Sequence, residues 1–319
     1  MKKSLIIVLI VVVIAVLAVF AGIVLPRAFN GIGQTETAES SAEPADQNAS
    51  DSSQSEGAGH LETISYTISY EGVSYDKVAY VYVPASYDSG EPMNILYLMH
   101  GSQGSGEQLA ESMVPLFDRW ISDGDMQPML VVFPTYYPDD SFVVSDYSRD
   151  YPLNHFFAEN EIHELMKTVE GSFHTYAESS DDAGLSQSRM HRAFGGYSMG
   201  GVTTWDVLAS QADYFAYYMP MAGDCWLDRV SDEPVGDLLV QGLEDGGYSS
   251  GDFLIIAMVG GNDGTKYSMK PQIEALREDH ADLITDDNLI YWENEGGGHS
   301  QESFEEEVEH GLPYLWTLQ

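Results

Sequence analysis

The chain reads HRAFGGYSMGG from His191 to Gly201, where an apolar, strand-like run passes directly into a helical segment. Within it, Gly196 and Gly200 stand two positions before and two positions after Ser198. A strand can turn sharply into a helix only where such positions carry little side chain, and the serine hydroxyl then projects from the apex. The stretch therefore predicts a nucleophile elbow with Ser198 as the attacking group.

Short apolar runs alternate with helical segments on both sides of this turn. The runs are typical of buried parallel strands and comprise Ile95 to Met99, Met129 to Phe133, His191 to Phe194, Phe215 to Met219, Phe253 to Met258 and Leu289 to Trp292. Helices are predicted near 106–122, 158–172, 200–211, 234–244, 268–279 and 301–310. Residues 63–83 alternate apolar with polar positions and predict an antiparallel pair at a sheet edge. Together these patterns predict a mostly parallel, doubly wound α/β sheet with helices on both faces.

A serine hydroxyl is a weak nucleophile at neutral pH and needs a histidine base, which follows the serine in chains of this kind. His280 lies among charged residues near a helix end, and His310 lies in an acidic terminal helix. His299 instead follows the strand at 289–292 in a glycine-rich loop, which lets the backbone approach the elbow. We therefore expect His299 to be the base.

The base needs an acid that orients its ring, and loops at the carboxyl ends of strands are the expected source. Asp263 lies in such a loop, after the strand that ends near Met258. Asp224 follows the preceding strand and is the alternative. The order Ser198, Asp263, His299 favours Asp263.

An oxyanion hole should combine the backbone amide of Met199 with an amide from an earlier loop. Residues 100–104 read HGSQG directly after a strand and supply that loop. The second donor is Ser102 or Gln103, and the sequence does not decide between them. We place His100 on the substrate side of the site, although bracing of this loop is the simpler interpretation.

Residues 188–205 and 218–226 closely resemble the feruloyl esterase domains attached to cellulosomal xylanases, which form carbohydrate esterase family 1. The similarity also takes in 174–178 and 271–276, and so covers most of 61–319. The resemblance implies a three-layer α/β hydrolase that needs no metal or organic cofactor. It implies hydrolysis of hydroxycinnamate esters of plant cell-wall arabinoxylan, with Ser198, Asp263 and His299 as the triad.

The resemblance also assigns residues to substrate binding. Trp226 matches the family's Gly-Asp-x-Trp segment, where the tryptophan lies beside the bound aromatic acid and Asp224 precedes it by two positions. An indole face can stack on a planar phenolic ring. Burial of Trp226 in the core is the alternative, because tryptophan is highly buried on average.

The chain departs from the family pattern near the expected acyl pocket. Residues 227–229 read Leu-Asp-Arg where the family often has Tyr-Gly-Asn, and Ser300 and Gln301 stand where it tends to have aromatic residues. These changes leave an acetyl, other small-acyl, siderophore or thioester substrate as the alternative. Aromatic residues that either line a cleft or pack a long loop are Tyr136, Tyr137, Phe142, Tyr147 and Tyr151.

Residues 1–30 differ from the globular part. Lys2 and Lys3 precede an uncharged, apolar run from Leu5 to Leu25, which has the pattern of an export signal and the length to span a bilayer. We expect an uncleaved membrane anchor that holds the chain at the extracellular face of the cell membrane, with secretion after cleavage as the alternative. Residues 31–60 are acidic and rich in Ser and Ala, which predicts a disordered linker before an esterase domain at 61–319.

The charge balance restricts the partners. With 13 basic and 51 acidic residues, the formal net charge is −38. So negative a surface repels nucleic acid and anionic lipid and favours neutral or cationic partners, and an acylated plant polysaccharide is neutral. No spacing matches a zinc or EF-hand site, so no metal is expected. A non-catalytic surface carbohydrate-binding module is the alternative from another class, and the complete Ser-Asp-His set argues against it.

Overall fold

A mostly parallel sheet organises the computed structural model, which describes residues 58–88 and 90–318. Its strands are β1 (His60–Tyr70), β2 (Val73–Val83), β3 (Ile95–Met99), β4 (Leu130–Phe133), β5 (Arg192–Tyr197), β6 (Tyr217–Met221), β7 (Leu254–Gly260) and β8 (Leu289–Asn294). They lie in the order β1-β2-β4-β3-β5-β6-β7-β8. β1 pairs with β2, and β2 with β4, in antiparallel register, whereas all pairs from β4 to β8 are parallel. The predicted sheet and its antiparallel edge pair are confirmed.

Helices connect the strands. They are α1 (Gly106–Asp123), α2 (Tyr151–Phe156), α3 (Ile162–Glu170), α4 (Asp182–Gln187), α5 (Met199–Ser210), α6 (Val235–Asp245), α7 (Lys266–Asp279) and α8 (Gln301–Gly311). A π-helical turn at Phe157–Glu161 joins α2 to α3. The helix predicted at 158–172 therefore begins earlier, with a proline in its first turn, where a missing N–H costs nothing. The short helix α4 was not predicted.

Two apolar cores lie on opposite faces of the sheet. Alternate residues of β3 belong to different cores, because successive side chains of a strand point to opposite faces of the sheet. Ile95, Tyr97 and Met99 belong to the larger core, with residues of α3, α5, α6 and α7. Leu96 and Leu98 belong to the smaller one, with residues of α1 and α8. Helices thus cover both faces, and the three-layer α/β-hydrolase fold is confirmed.

A buried ion pair fixes the start of β5, the strand that carries the elbow. Arg192 is 1% exposed, and its guanidinium donates from Nε and Nη2 to the two carboxylate oxygens of Glu170 at 2.6 and 2.8 Å. It also donates to the carbonyl oxygen of Tyr214. Such bidentate pairing holds both groups in one geometry. Removing one partner would leave a buried charge uncompensated.

The predicted anchor at 1–30 lies outside the described residues, as does the predicted linker up to residue 57. β1 begins at His60, at the end of that linker. Within 58–88 and 90–318, no helix combines the length and apolar character needed to cross a bilayer.

Candidate active site

The elbow places Ser198 in a strained backbone conformation. Its φ of 58° and ψ of −117° lie outside the regions that a residue with a side chain readily adopts. A Cβ on Gly196 would lie 2.5 Å from the carbonyl oxygen of Gly200, so the turn has no room for a larger residue there. The main-chain N–H of Ser198 donates to Met221 of β6 at 2.9 Å, which ties the turn to the sheet.

Three predicted side chains meet at this turn. His299 Nε2 lies 2.9 Å from the Ser198 hydroxyl oxygen, and His299 Nδ1 lies 2.6 Å from Asp263 Oδ2. The imidazole can therefore accept the serine proton at Nε2 while Nδ1–H donates to the carboxylate. The three side chains come from the loops after β5, β7 and β8, all at the carboxyl edge of the sheet.

The carboxylate of this set is enclosed. Asp263 is 2% exposed, and its Oδ1 accepts hydrogen bonds from the N–H and the hydroxyl of Thr265, each at 2.8 Å. Burial alone would raise the pKa of Asp263. The hydrogen bonds and charge of His299, together with the Thr265 donors, outweigh burial and hold this pKa below its ordinary value. The group therefore stays ionised at neutral pH.

The alternative residues lie elsewhere. His280 Nε2 is 3.3 Å from Asp237, and the His310 ring stacks on Trp292 at 3.9 Å. Neither histidine is hydrogen-bonded to the serine. Asp224 is half-buried in the loop after β6, where burial raises its pKa, and it does not bond the imidazole at the elbow.

The loop after β3 lies directly against the nucleophile. A Cβ on Gly101 would lie 3.2 Å from the Cβ of Ser198. Met199 begins α5, so its N–H has no acceptor within the helix. Gln103 adopts a φ of 63° and donates its N–H to the Tyr137 hydroxyl at 3.0 Å. This amide is thus already engaged.

Asp150 holds that loop in place, and sequence reasoning missed it. Its carboxylate is fully buried and accepts from the Ser102 hydroxyl at 2.6 Å, from Tyr137 at 2.9 Å and from Tyr136 at 3.2 Å. No motif surrounds Asp150, which comes 48 residues after Ser102. Only the folded chain brings the two together.

His100 is 3% exposed at the end of β3. Its Nδ1 lies 2.7 Å from the Gly101 carbonyl oxygen, and its Nε2 lies 2.7 Å from the Thr135 hydroxyl. Burial lowers the pKa of the ring to about 4, so it is neutral at pH 7. This geometry suits a residue that braces the loop.

The side chain of Trp226 is half-buried and surrounded by flat groups. The Arg229 guanidinium lies 3.5 Å from the indole ring centre. The rings of Tyr151 and Tyr147 lie 5.8 and 6.1 Å from it. Of the aromatic residues singled out in the sequence, Tyr136, Tyr137 and Tyr151 are buried, Phe142 is half-buried, and Tyr147 is 57% exposed.

A second group missed by sequence reasoning lies near the base. The Tyr197 ring is 4.9 Å from the ring of His299 and 5.2 Å from that of Phe304. Glu307 in α8 is 0% exposed, and neither of its carboxylate oxygens has a hydrogen-bond partner among the described residues. Burial, followed by the negative charges of Asp263 and Glu306, raises the pKa of Glu307 to about 8.

The described residues contain no group of three or more His, Cys, Asp or Glu side chains arranged to hold a metal ion.

Cys225 is buried, and burial raises the pKa of its thiol, with the negative charge of Asp206 adding to the effect. The thiol is therefore protonated and poorly nucleophilic at neutral pH.

The chain is 34% identical over 221 residues to endo-1,4-beta-xylanase Y of Acetivibrio thermocellus, a match covering 68% of this chain and 19% of the xylanase. It therefore spans about a fifth of that relative's length. Among solved structures, it is 29% identical to a serine-to-alanine mutant of the feruloyl esterase module from Clostridium thermocellum complexed with sinapinate. That match has a TM-score of 0.68 and covers 82% of this chain and 89% of the module.

A ferulic acid esterase from the anaerobic fungus Anaeromyces mucronatus has the same fold, with a TM-score of 0.62 at 15% identity over 82% of this chain and 92% of that one. The similarities to the xylanase and to the Clostridium thermocellum module confirm the resemblance inferred from residues 188–205 and 218–226. Residues 75–311 match the family model described as "Putative esterase", which spans well over half of the chain. The chain belongs to this esterase family.

Proposed function

We propose that this chain is a serine carboxylic-ester hydrolase that releases ferulate or related hydroxycinnamates from plant cell-wall arabinoxylan. The observation that carries the proposal is the hydrogen-bonded relay from Ser198 through His299 to Asp263. The sinapinate bound to the similar Clostridium thermocellum module supports an aromatic acyl group. The similarity to a xylanase supports a plant polysaccharide as the alcohol.

In the first half-reaction, the Ser198 hydroxyl attacks the ester carbonyl while His299 Nε2 takes its proton. Asp263 holds the imidazole and stabilises the imidazolium that forms. The tetrahedral intermediate collapses as the imidazolium gives its proton to the departing sugar oxygen, which leaves an acyl-enzyme. Water then attacks the acyl group with His299 again as base, and release of the acid restores the serine.

The oxyanion of each tetrahedral intermediate needs two amide donors. Met199 supplies one, because its N–H stands at the free start of α5. Of the two candidates in the earlier loop, we assign the second donor to Ser102, because the Gln103 N–H is engaged by Tyr137. The hydrogen bond from the Ser102 side chain to Asp150 would hold this donor in position.

One observation favours a second candidate substrate. The Arg229 guanidinium lies at 3.5 Å over the indole of Trp226, so part of the surface that would receive a phenolic ring is already covered. An esterase for acetyl or other small acyl groups would not need that surface. The catalytic steps are the same for both substrates, and only the acyl pocket differs.

For localisation, we propose the extracellular face of the cell membrane, with residues 1–30 as the anchor. The support is the sequence alone: Lys2 and Lys3 followed by the apolar run from Leu5 to Leu25. At this location the enzyme would meet soluble feruloylated oligosaccharides.

Hydrolysis of methyl ferulate and of p-nitrophenyl acetate by the chain and by its Ser198→Ala variant tests the proposal. We expect the chain to cleave methyl ferulate and the variant to lose at least about a thousandfold in kcat. Cleavage of the acetate alone would establish the small-acyl alternative. If neither ester reacts, ester hydrolysis itself is the wrong function.

A further inference from the structure

Two adjoining hollows flank the loop that joins β3 to α1. A hollow of about 270 Å³ lies between this loop and Gln301, and one of about 610 Å³ lies between the loop and Val143. Gly104, Ser105 and Gln108 line both hollows, so the two adjoin along this loop. We call the two together the trough.

The smaller hollow lies immediately beside the nucleophile. Gly101 lines it, and a Cβ on this residue would be 3.2 Å from the Cβ of Ser198. Tyr197, which directly precedes the nucleophile, lines it as well, and its ring lies 4.9 Å from that of His299. A molecule in the smaller hollow would therefore lie beside the nucleophile, on the side of the β3–α1 loop.

The trough combines free hydrogen-bonding groups with exposed apolar ones. The side-chain amides of Gln103 and Gln108 are exposed and make no hydrogen bond to any described residue. Val78 and Val143 remain 38% and 37% exposed in the larger hollow. Sugars present hydroxyls at the ring edge and C–H groups on the ring faces, so amides beside apolar side chains match both.

The charge of the trough selects among sugars. Four carboxylates line its larger hollow, contributed by Asp76, Glu107, Asp139 and Asp140. The lysine there, Lys77, is 3% exposed and pairs with Glu161, so its charge is compensated. Carboxylates accept hydrogen bonds from sugar hydroxyls but repel anions. The lining therefore suits a neutral chain and disfavours one that carries uronic acids.

We propose that the trough binds the neutral glycan chain that carries the ester, and so forms the alcohol side of the active site. This inference rests on the proposed function. No residue of the loop that carries Asp224 and Trp226 lines the trough, so the acyl group and the sugar would be held by different loops. The trough would give the enzyme a preference for oligosaccharide esters over simple alkyl esters of the same acid.

Calorimetric titration of the Ser198→Ala chain with an arabinoxylo-oligosaccharide that carries no acyl group tests binding without hydrolysis. We expect this neutral ligand to bind and a glucuronate-bearing xylo-oligosaccharide to bind more weakly. Gln108→Ala should raise the Kd of the neutral ligand about fivefold, as expected for the loss of one hydrogen bond. Gln241→Ala is the matched control, because it removes an exposed glutamine of α6 that does not line the trough. It should not change binding of the oligosaccharide.

Kinetics provide the second measurement. Gln108→Ala should lower kcat/KM several-fold more for a feruloylated arabinoxylo-oligosaccharide than for methyl ferulate. The inference is overturned if the neutral oligosaccharide does not bind or if the glucuronate-bearing one binds as tightly. It is also overturned if Gln108→Ala lowers kcat/KM equally for both esters. If Ser198-dependent hydrolysis is intact, any of these results would refute glycan binding in the trough but not the proposed function. Loss of hydrolysis of every ester would refute the proposed function instead.

Discussion

The guanidinium of Arg229 lies over the indole of Trp226, 3.5 Å from the ring centre, and makes no ion pair with any described residue. Guanidinium groups stack favourably on indole, and such a contact is worth about 1 kcal/mol at an exposed site. The arginine therefore competes with a phenolic ring for the same surface.

Removing this competitor should improve binding of aromatic acyl groups. In Arg229→Ala we expect the KM for methyl ferulate to fall about threefold to fivefold, because the stack need no longer be broken. The KM for p-nitrophenyl acetate should change much less. Arg119→Ala, which removes another exposed arginine that lies over a tryptophan, is the control. A rise in KM for methyl ferulate would instead mean that Arg229 itself supports the bound ring.

The elbow could be predicted because its geometry depends on local sequence. A sharp strand-to-helix turn requires small residues around Ser198, and Gly196 and Gly200 meet that requirement within five positions. His299 could be predicted for a similar reason, since three glycines precede it in the loop after a strand. For the acid, Asp224 and Asp263 both follow strands; the sequence favoured Asp263, and the structure places this residue beside His299.

Other parts of the site depend on contacts between distant segments, which no local pattern reveals. Asp150, in the long segment beyond β4, bonds the hydroxyl of Ser102 in the loop after β3 as well as two tyrosines of its own segment. Glu307 looks like one more acidic residue of an exposed helix until the burial of α8 is known. The position of Arg229 over the indole is local by contrast, since it depends on a short 3-10 helix at Leu227–Arg229.

Loss of the carboxylate that orients the base should be severe. In Asp263→Asn we expect kcat for any ester to fall about ten-thousandfold, because the imidazole loses its orientation and its ionic partner. The fold should persist, since the amide has nearly the same shape. Steady-state kinetics with p-nitrophenyl acetate measure the effect, and Asp224→Asn is the comparison. An equal loss in Asp224→Asn would contradict the assignment of the acid.

The hydroxyl of Tyr137 connects the oxyanion loop to Asp150. It accepts the Gln103 N–H at 3.0 Å and donates to the carboxylate at 2.9 Å. In Tyr137→Phe the loop loses both bonds, and we expect kcat to fall about tenfold with little change in KM, because oxyanion stabilisation acts in the transition state. Unchanged kcat would show that the loop is held without this hydroxyl. Thermal unfolding of the variant separates a local effect from a global one.

Glu307 gives the enzyme a pH-dependent stability. Burial and the nearby charges of Asp263 and Glu306 raise its pKa from an ordinary 4.5 to about 8 in the folded chain. At pH below 4.5 the carboxyl is protonated in both states and makes no pH-dependent contribution to stability. Between 4.5 and 8 the unfolded chain loses this proton while the folded chain retains it, so stability falls as pH rises.

The Glu307→Gln variant removes this titration while keeping the shape of the side chain. The penalty in the native chain grows by about 1.4 kcal/mol per pH unit, so the variant should gain stability relative to it by up to roughly 5 kcal/mol between pH 4.5 and 8. Urea unfolding at several pH values measures the difference. Glu309→Gln, an exposed position on the same helix, should leave the pH dependence unchanged. Parallel pH profiles for the native chain and Glu307→Gln would mean that Glu307 is ionised in the folded state, with a partner that compensates its charge.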